Sequence, residues 1–253
     1  MKLRFLGTGT STGVPQIGCP CEVCRSDDPR DKRLRTSALV TTDGGEHILI
    51  DCGPDFRQQM LPLPFERLSA VLLTHEHYDH VGGMDDLRPY CHFGDIPVYG
   101  DAYTLEHINE RIPYCFAAHP YPGVPRITLH EVSPTVMFSV GQTEILPLSV
   151  MHDQLPILGF RIGRLAYITD MSQLPTSTVP HLQGIGTLVV NALRPAPHHS
   201  HQSLEEALRV IEQLRPEVAY LVHMSHHMGR YADVEPTLPP HVHFAYDGLE
   251  ISI

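Results

Sequence analysis

The segment Thr74-His75-Glu76-His77-Tyr78-Asp79-His80 constrains this chain more than any other feature. It sets four strong metal-ligand types, His75, His77, Asp79 and His80, directly after the apolar run Val71-Leu72-Leu73. Such a run reads as a buried strand, so the ligands fall where a strand opens into a loop. His75 and His77 are two apart and, in extended chain, project to the same side, so both can face one ion. Asp79 and His80 then turn toward a neighbouring position. A carboxylate beside imidazoles suits zinc, manganese or iron, and each of these needs more ligands than one loop holds.

Later strands offer the remainder. His152 follows the apolar run 146–150, Asp170 ends Tyr167-Ile168-Thr169, and His223 ends Ala219-Tyr220-Leu221-Val222. Any one of them alone reads equally well as a strand-end residue making a hydrogen bond. Together with the loop motif they favour ligation. Eighteen histidines in 253 residues fit a metal-rich site.

Short β-branched or apolar runs recur at 39–42, 47–50, 70–73, 96–99, 143–150, 164–169, 187–190, 218–222 and 242–245. The N-terminus reads as a strand entering a glycine-rich turn, and Asp43-Gly44-Gly45 predicts a hairpin between the first pair of runs. A helix is predicted over 203–214: Leu204, Ala207, Leu208, Ile211 and Leu214 share one face, and Ser203 with Glu206 fits a capping box. A second helix is predicted over 103–110. This order suits an α/β chain with two sheets face to face and helices outside, a four-layer αββα sandwich formed as one domain over residues 1–253.

Composition bounds the partners. A hydrophobic fraction of 42% supplies a real core, so metal is not needed merely to fold the chain. A formal net charge of -11 argues against an extended nucleic-acid surface. No apolar run is long enough to span a membrane and no signal core opens the chain, so the cytoplasm is the expected compartment. The cluster Cys19-Pro20-Cys21-Glu22-Val23-Cys24 suits a metal better than a disulfide framework. Three thiolates need a fourth ligand for structural zinc, and His226, three residues beyond His223, is the best placed.

These residues resemble the metallo-β-lactamase superfamily, with similarity running from Gly7-Thr8-Gly9-Thr10 to Phe244-Ala245-Tyr246-Asp247-Gly248. The resemblance implies His75, His77 and His152 on one divalent metal, Asp79, His80 and His223 on a second, and Asp170 bridging them. It also makes Asp51 a support that orients the ligand loop. Aspartate rather than cysteine at the bridge looks like the phosphodiesterase branches, in which hydroxide of lowered pKa attacks the phosphoryl group in line. The cysteine loop and Val222-His223-Met224-Ser225-His226 resemble one subgroup, the phosphoribosyl cyclic phosphate phosphodiesterases known as PhnP. Valine at 222, where that pattern has threonine, precedes the ligand and should not remove it. A homodimer is what the family resemblance suggests.

Cleavage of a phosphodiester expels an alkoxide, which calls for a proton donor. His201, within Pro197-His198-His199-Ser200-His201, stands immediately before the capped helix, where relatives place a catalytic histidine. His198 and His199 read as solvated loop. Asp79 is the second candidate catalytic residue. The turn from Gly7 to Gly13 lacks a P-loop lysine and reads as structural, while Arg88 and Arg35 more often than not pair with carboxylates.

The expected activity is hydrolysis of a small cyclic or nucleotide-like phosphodiester, using two divalent ions (manganese or zinc, with iron a third candidate) and one structural zinc. A thioester or lactam hydrolase is the alternative within the same chemistry. A tRNA 3′-processing nuclease would need a basic clamp that the acidic balance does not support. A non-catalytic PqqB-like protein would not require the complete ligand set.

Overall fold

In the first sheet, alternate residues of each strand face opposite cores, and this double burial sets the layering. The computed structural model describes residues 1–119 and 121–253. Its strands are β1 (Lys2–Gly7), β2 (Ser37–Thr41), β3 (His47–Ile50), β4 (Ala70–Leu72), β5 (Ile96–Gly100) and β6 (Ile127–Glu131). Then follow β7 (Phe138–Val140), β8 (Thr143–His152), β9 (Leu155–Ile162), β10 (Leu165–Ile168), β11 (Thr187–Asn191), β12 (Val218–Val222), β13 (Val242–Phe244) and β14 (Glu250–Ser252). They form two seven-stranded sheets, ordered β14-β1-β2-β3-β4-β5-β6 and β13-β12-β11-β10-β9-β8-β7.

Ile48, Ile50, Ala70 and Leu72 pack inward against Phe160, Tyr167, Val189 and Val222 of the second sheet. Their neighbours Leu49 and Val71 point outward, against Phe56, Leu105 and Ile108. Those three belong to α1 (Phe56–Met60) and, beyond α2 (Tyr78–Val81), to α3 (Ala102–Arg111). On the other side Leu188 and Val190 meet Ala207 and Ile211 of α4 (Leu204–Leu214). Helix, sheet, sheet, helix is the αββα arrangement expected. Strands buried on both faces read as continuous apolar runs, which is why β3, β4 and β12 stand out in the sequence.

The hairpin joining β2 and β3 and the helix with its capping box are both present. Four strands lie outside the runs read from sequence: β6, β7, β9 and β14. β9 carries Pro156 and Gly159, which break its pattern, yet it pairs with β8 in unbroken register from Ile145↔Ile162 to His152↔Leu155. A Cβ at Gly159 would lie 3.0 Å from Tyr167 O, so glycine there permits close approach of β10.

β3, β4 and β5 run parallel, as do β10, β11 and β12, and the polar loops gather at their carboxyl ends. Three residues just past these ends hold left-handed backbone: Asp51 (φ 61°), Asp170 (φ 57°) and His223 (φ 56°). Non-glycine residues there cost about 1–3 kcal/mol each, a strain that clusters at functional sites. Among the described residues no helix is long and apolar enough to cross a membrane.

Candidate metal centre

His75, buried after β4, has its tautomer set by its neighbours. Thr74 Oγ1 lies 2.9 and 3.0 Å from the two Asp51 oxygens and 2.9 Å from His75 Nδ1. A hydroxyl has one hydrogen, which the carboxylate takes, so Thr74 accepts from His75 Nδ1–H and leaves Nε2 as a bare lone pair. His80 is fixed the same way, its Nδ1 donating to Asp51 Oδ2 at 2.7 Å. His152 Nδ1 donates to Ser200 O at 2.8 Å. Each of these three imidazoles is held by one nitrogen and presents the other, the arrangement of oriented metal ligands.

The presented atoms converge. Ligand atoms of His75, His77 and His152 lie within 4.8 Å of one another, and so do those of Asp79, His80, Asp170 and His223. The His75 and His80 rings, 4.3 Å apart, join the two groups into one centre. His80 Nε2 is 3.2 Å from both Asp79 Oδ2 and Asp170 Oδ2, and His223 Nε2 is 3.1 Å from Asp170 Oδ1. Asp170 thus stands between His80 and His223.

His75 Nε2 and His80 Nε2 are buried and lack hydrogen-bond partners. An unsatisfied buried polar atom costs about 1–3 kcal/mol, so a convergent set of them fits bound cations. Burial pushes the His75 pKa well down, which keeps its Nε2 free of a proton. Burial would raise the Asp170 carboxyl, but His223 and His80 beside it hold it well below the usual range. The residues therefore fit divalent metal in both groups.

His201 faces the same space. Its ring stacks on His223 at 4.8 Å and lies 4.6 Å from His152, and its buried Nδ1 has no hydrogen-bond partner 3.6 Å from Asp170 Oδ1. Burial and the neighbouring His223 lower its pKa to about 3. His199 is exposed, and His198 Nδ1 lies 3.3 Å from Ser200 N as part of a local turn.

Ligand atoms of Cys19, Cys21, Cys24 and His226 form a separate convergent group. His226 Nδ1 is 3.4 Å from Cys21 Sγ and 3.6 Å from Cys19 Sγ. The Cys24 N–H donates to Cys21 Sγ and brings that thiol down to about 6, whereas burial raises Cys24 to about 11. Three sulfurs and an imidazole fit zinc. Arg33 ties the same segments: its buried guanidinium donates to Ser225 O at 3.0 Å and Gly229 O at 2.9 Å.

Arg88 pairs with Asp85 at 2.7 Å and Arg35 with Asp55 at 2.8 Å, so both have carboxylate partners. A Cβ at Gly7 or Gly9 would strike Arg35 O or Arg33 O, so this turn is glycine-rich for close backbone approach. Sequence reasoning missed Thr74 and Asn191 as supports. Their side chains bond to backbone and neighbouring groups brought near only by the fold, and no local pattern marks them.

Two facing sheets flanked by helices, with a convergent His/Asp centre at one edge, are the architecture of the metallo-β-lactamase fold. Residues 46–224 match the family described as beta-lactamase superfamily domain, and the chain belongs to it. A solved structure described as a new diphosphatase from the PhnP family superposes with a TM-score of 0.92 at 34% identity, covering 100% of this chain and 97% of that one. Zn(2+)-bound PqqB from Methylobacterium extorquens shares the fold, with a TM-score of 0.81 at 21% identity over 100% of each chain. A Porphyromonas gingivalis protein named octanoyltransferase is 48% identical over 254 residues. The match takes in 100% of this chain but 52% of that relative, so the chain spans about half its length.

Proposed function

We propose that the chain is a dinuclear metal-dependent phosphodiesterase acting on a small cyclic or nucleotide-like phosphodiester. The observation that carries this reading is the pair of adjoining ligand groups with a hard carboxylate, Asp170, at their junction. In this reading His75, His77 and His152 would hold one ion and Asp79, His80 and His223 the other, with Asp170 placed to serve both. Bound there, divalent ions supply Lewis-acid polarisation of phosphoryl oxygens and lower the pKa of water. Manganese or zinc suits these ligands, and Cys19, Cys21, Cys24 and His226 hold a structural zinc.

The protein's own residues supply orientation and the proton. Asp51 and Thr74 fix the ring planes of His80 and His75. His201 serves the leaving oxygen. Its lowered pKa makes it a neutral imidazole at rest, and an anionic phosphodiester beside it favours the protonated form, opposing the effect of burial. The same reading takes residues 1–253 as one catalytic unit, in the cytoplasm, as a homodimer, with no extended nucleic-acid surface.

The PhnP-family likeness supports the phosphoryl reading, and because that relative is a diphosphatase, phosphoanhydrides join the substrates to be tested. A second reading, a thioester hydrolase, rests on the same metal chemistry serving acyl transfer, and the protein named octanoyltransferase, matched over 52% of its length, makes an octanoyl thioester the probe. The test is turnover of bis(p-nitrophenyl) phosphate, 2′,3′-cyclic nucleotides, a dinucleoside diphosphate and an octanoyl thioester by metal-analysed protein. Phosphodiester turnover that falls by roughly 10²–10⁴ in His201→Ala, with metal content unchanged, is the expected result. Cleavage of the thioester alone by fully loaded protein would overturn it.

A further inference from the structure

Asn191 ends β11, is fully buried, and spends its side-chain hydrogen bonds on Met171, not on a ligand of the centre described above. Its Oδ1 accepts from Met171 N–H at 2.8 Å, and its Nδ2 donates to Met171 C=O at 2.9 Å. Both polar groups of one backbone residue are therefore held by one side-chain amide, a pairing that also fixes which way that amide faces. Met171 follows Asp170, whose backbone is left-handed. The Met171 carbonyl receives a second hydrogen bond, from Gln202 N–H at 3.1 Å, and Gln202 follows His201. Gln202 O in turn accepts from Leu193 N–H, two residues past Asn191.

We infer that Asn191 is a positioning residue that sets the Asp170 carboxylate and the His201 ring together, through the Met171 peptide. An aspartate in left-handed backbone has neighbouring conformers that would swing its carboxylate away from His80 and His223. The two-point amide clamp selects one of them. Because Gln202 N–H docks on the same carbonyl, movement of Met171 moves the loop that carries His201 as well. An apolar residue at 191 would leave the Met171 N–H and part of its C=O unpaired in a dry strand end, and the turn would relax to recover partners. The inference rests on the metal-centre reading but not on the choice of substrate.

Asn191→Leu keeps the branched shape at a larger volume and removes both hydrogen-bonding groups, Asn191→Ala removes them without a branched side chain or added bulk, and Val190→Ala is the packing control. Three quantities are read: amide exchange of Met171 in metal-free protein, manganese affinity of protein whose cysteine site already holds zinc, and kcat against KM. Faster Met171 exchange, manganese binding weakened by roughly 10- to 100-fold, and a loss in kcat rather than KM are expected for the Asn191 variants. Val190→Ala should lose stability while keeping manganese affinity. A folded Asn191 variant with unchanged exchange and manganese affinity would overturn the inference, as would equal losses in Val190→Ala. Wild-type protein that binds manganese but cleaves no phosphodiester counts against the proposed function alone, since exchange and metal affinity still read the role of Asn191.

Discussion

At the residue scale, one buried carboxylate organises much of the centre. Asp51 accepts from Thr74 N–H, Thr74 Oγ1 and His80 Nδ1, and through Thr74 it fixes His75. Asp247 does comparable work outside the centre, accepting from Thr8 Oγ1 at 2.8 Å and Leu34 N–H at 2.7 Å. Burial pushes its carboxyl up to about 7. A raised acid keeps its proton when folded and loses it when unfolded, so the folded state binds more protons between about pH 4 and 7. The stability it contributes is thus full below the unfolded pKa and is lost as pH rises through about 7. Asn at this position can accept from Leu34 N–H and donate to Thr8 without titrating. Asp247→Asn should therefore gain on wild type as pH rises through that window, by up to about 1.4 kcal/mol per pH unit. Urea unfolding of both proteins at pH 4.5, 6 and 7.5 reads the difference, and a pH-independent gap would refute it.

At the element scale, α4 shows what a local pattern can specify. Ser203 Oγ accepts from Glu206 N–H, and the Glu206 carboxylate accepts from Ser203 N–H at 2.8 Å, completing the capping box. The cap fixes the chain directly after His201 and Gln202. Ser203→Ala should cost about 1 kcal/mol of unfolding free energy, measured by denaturant midpoint, while all metal equivalents stay bound. Loss of metal in that variant would mean that α4 holds the centre and does not merely carry His201. The helix was legible because its hydrophobic stripe and its cap agree, and so were β3, β4 and β12, each a continuous apolar run. β6 and β14 are half-exposed strands whose partners, β5 and β1, lie far away in the chain, whereas β7 and β9 pair with the adjacent β8 and were hidden by shortness in one and by proline and glycine in the other. The convergence of His75, His77, Asp79, His80, His152, Asp170 and His223 could be anticipated from residue type and strand-end position. The Asn191 clamp could not, because an asparagine at the end of an apolar run reads as a turn residue until the backbone it reaches is known.

At the scale of the whole molecule, the cysteine group joins the loop after β1 to the segment after β12 that carries His223. Two ties act on the same pair of segments. One is the set Cys19, Cys21, Cys24 and His226; the other is Arg33, bonded to Ser225 O and Gly229 O and paired with buried Asp31. Asp31 also accepts from Tyr231 N–H at 2.7 Å, extending the second tie beyond Gly229. Because Arg33 does not depend on the thiolates, Cys21→Ser should leave the loop docked and the His/Asp centre assembled. Metal analysis should show one zinc equivalent fewer and the two divalent ions retained. Removing a ligand that binds only the folded state also lowers stability, by about 2.7 kcal/mol where free zinc stood at a hundred times its dissociation constant. A lower Tm with the dinuclear metal retained is the expected pair of results. Simultaneous loss of all three ions would show that the cysteine site, rather than Arg33, holds His223 in place.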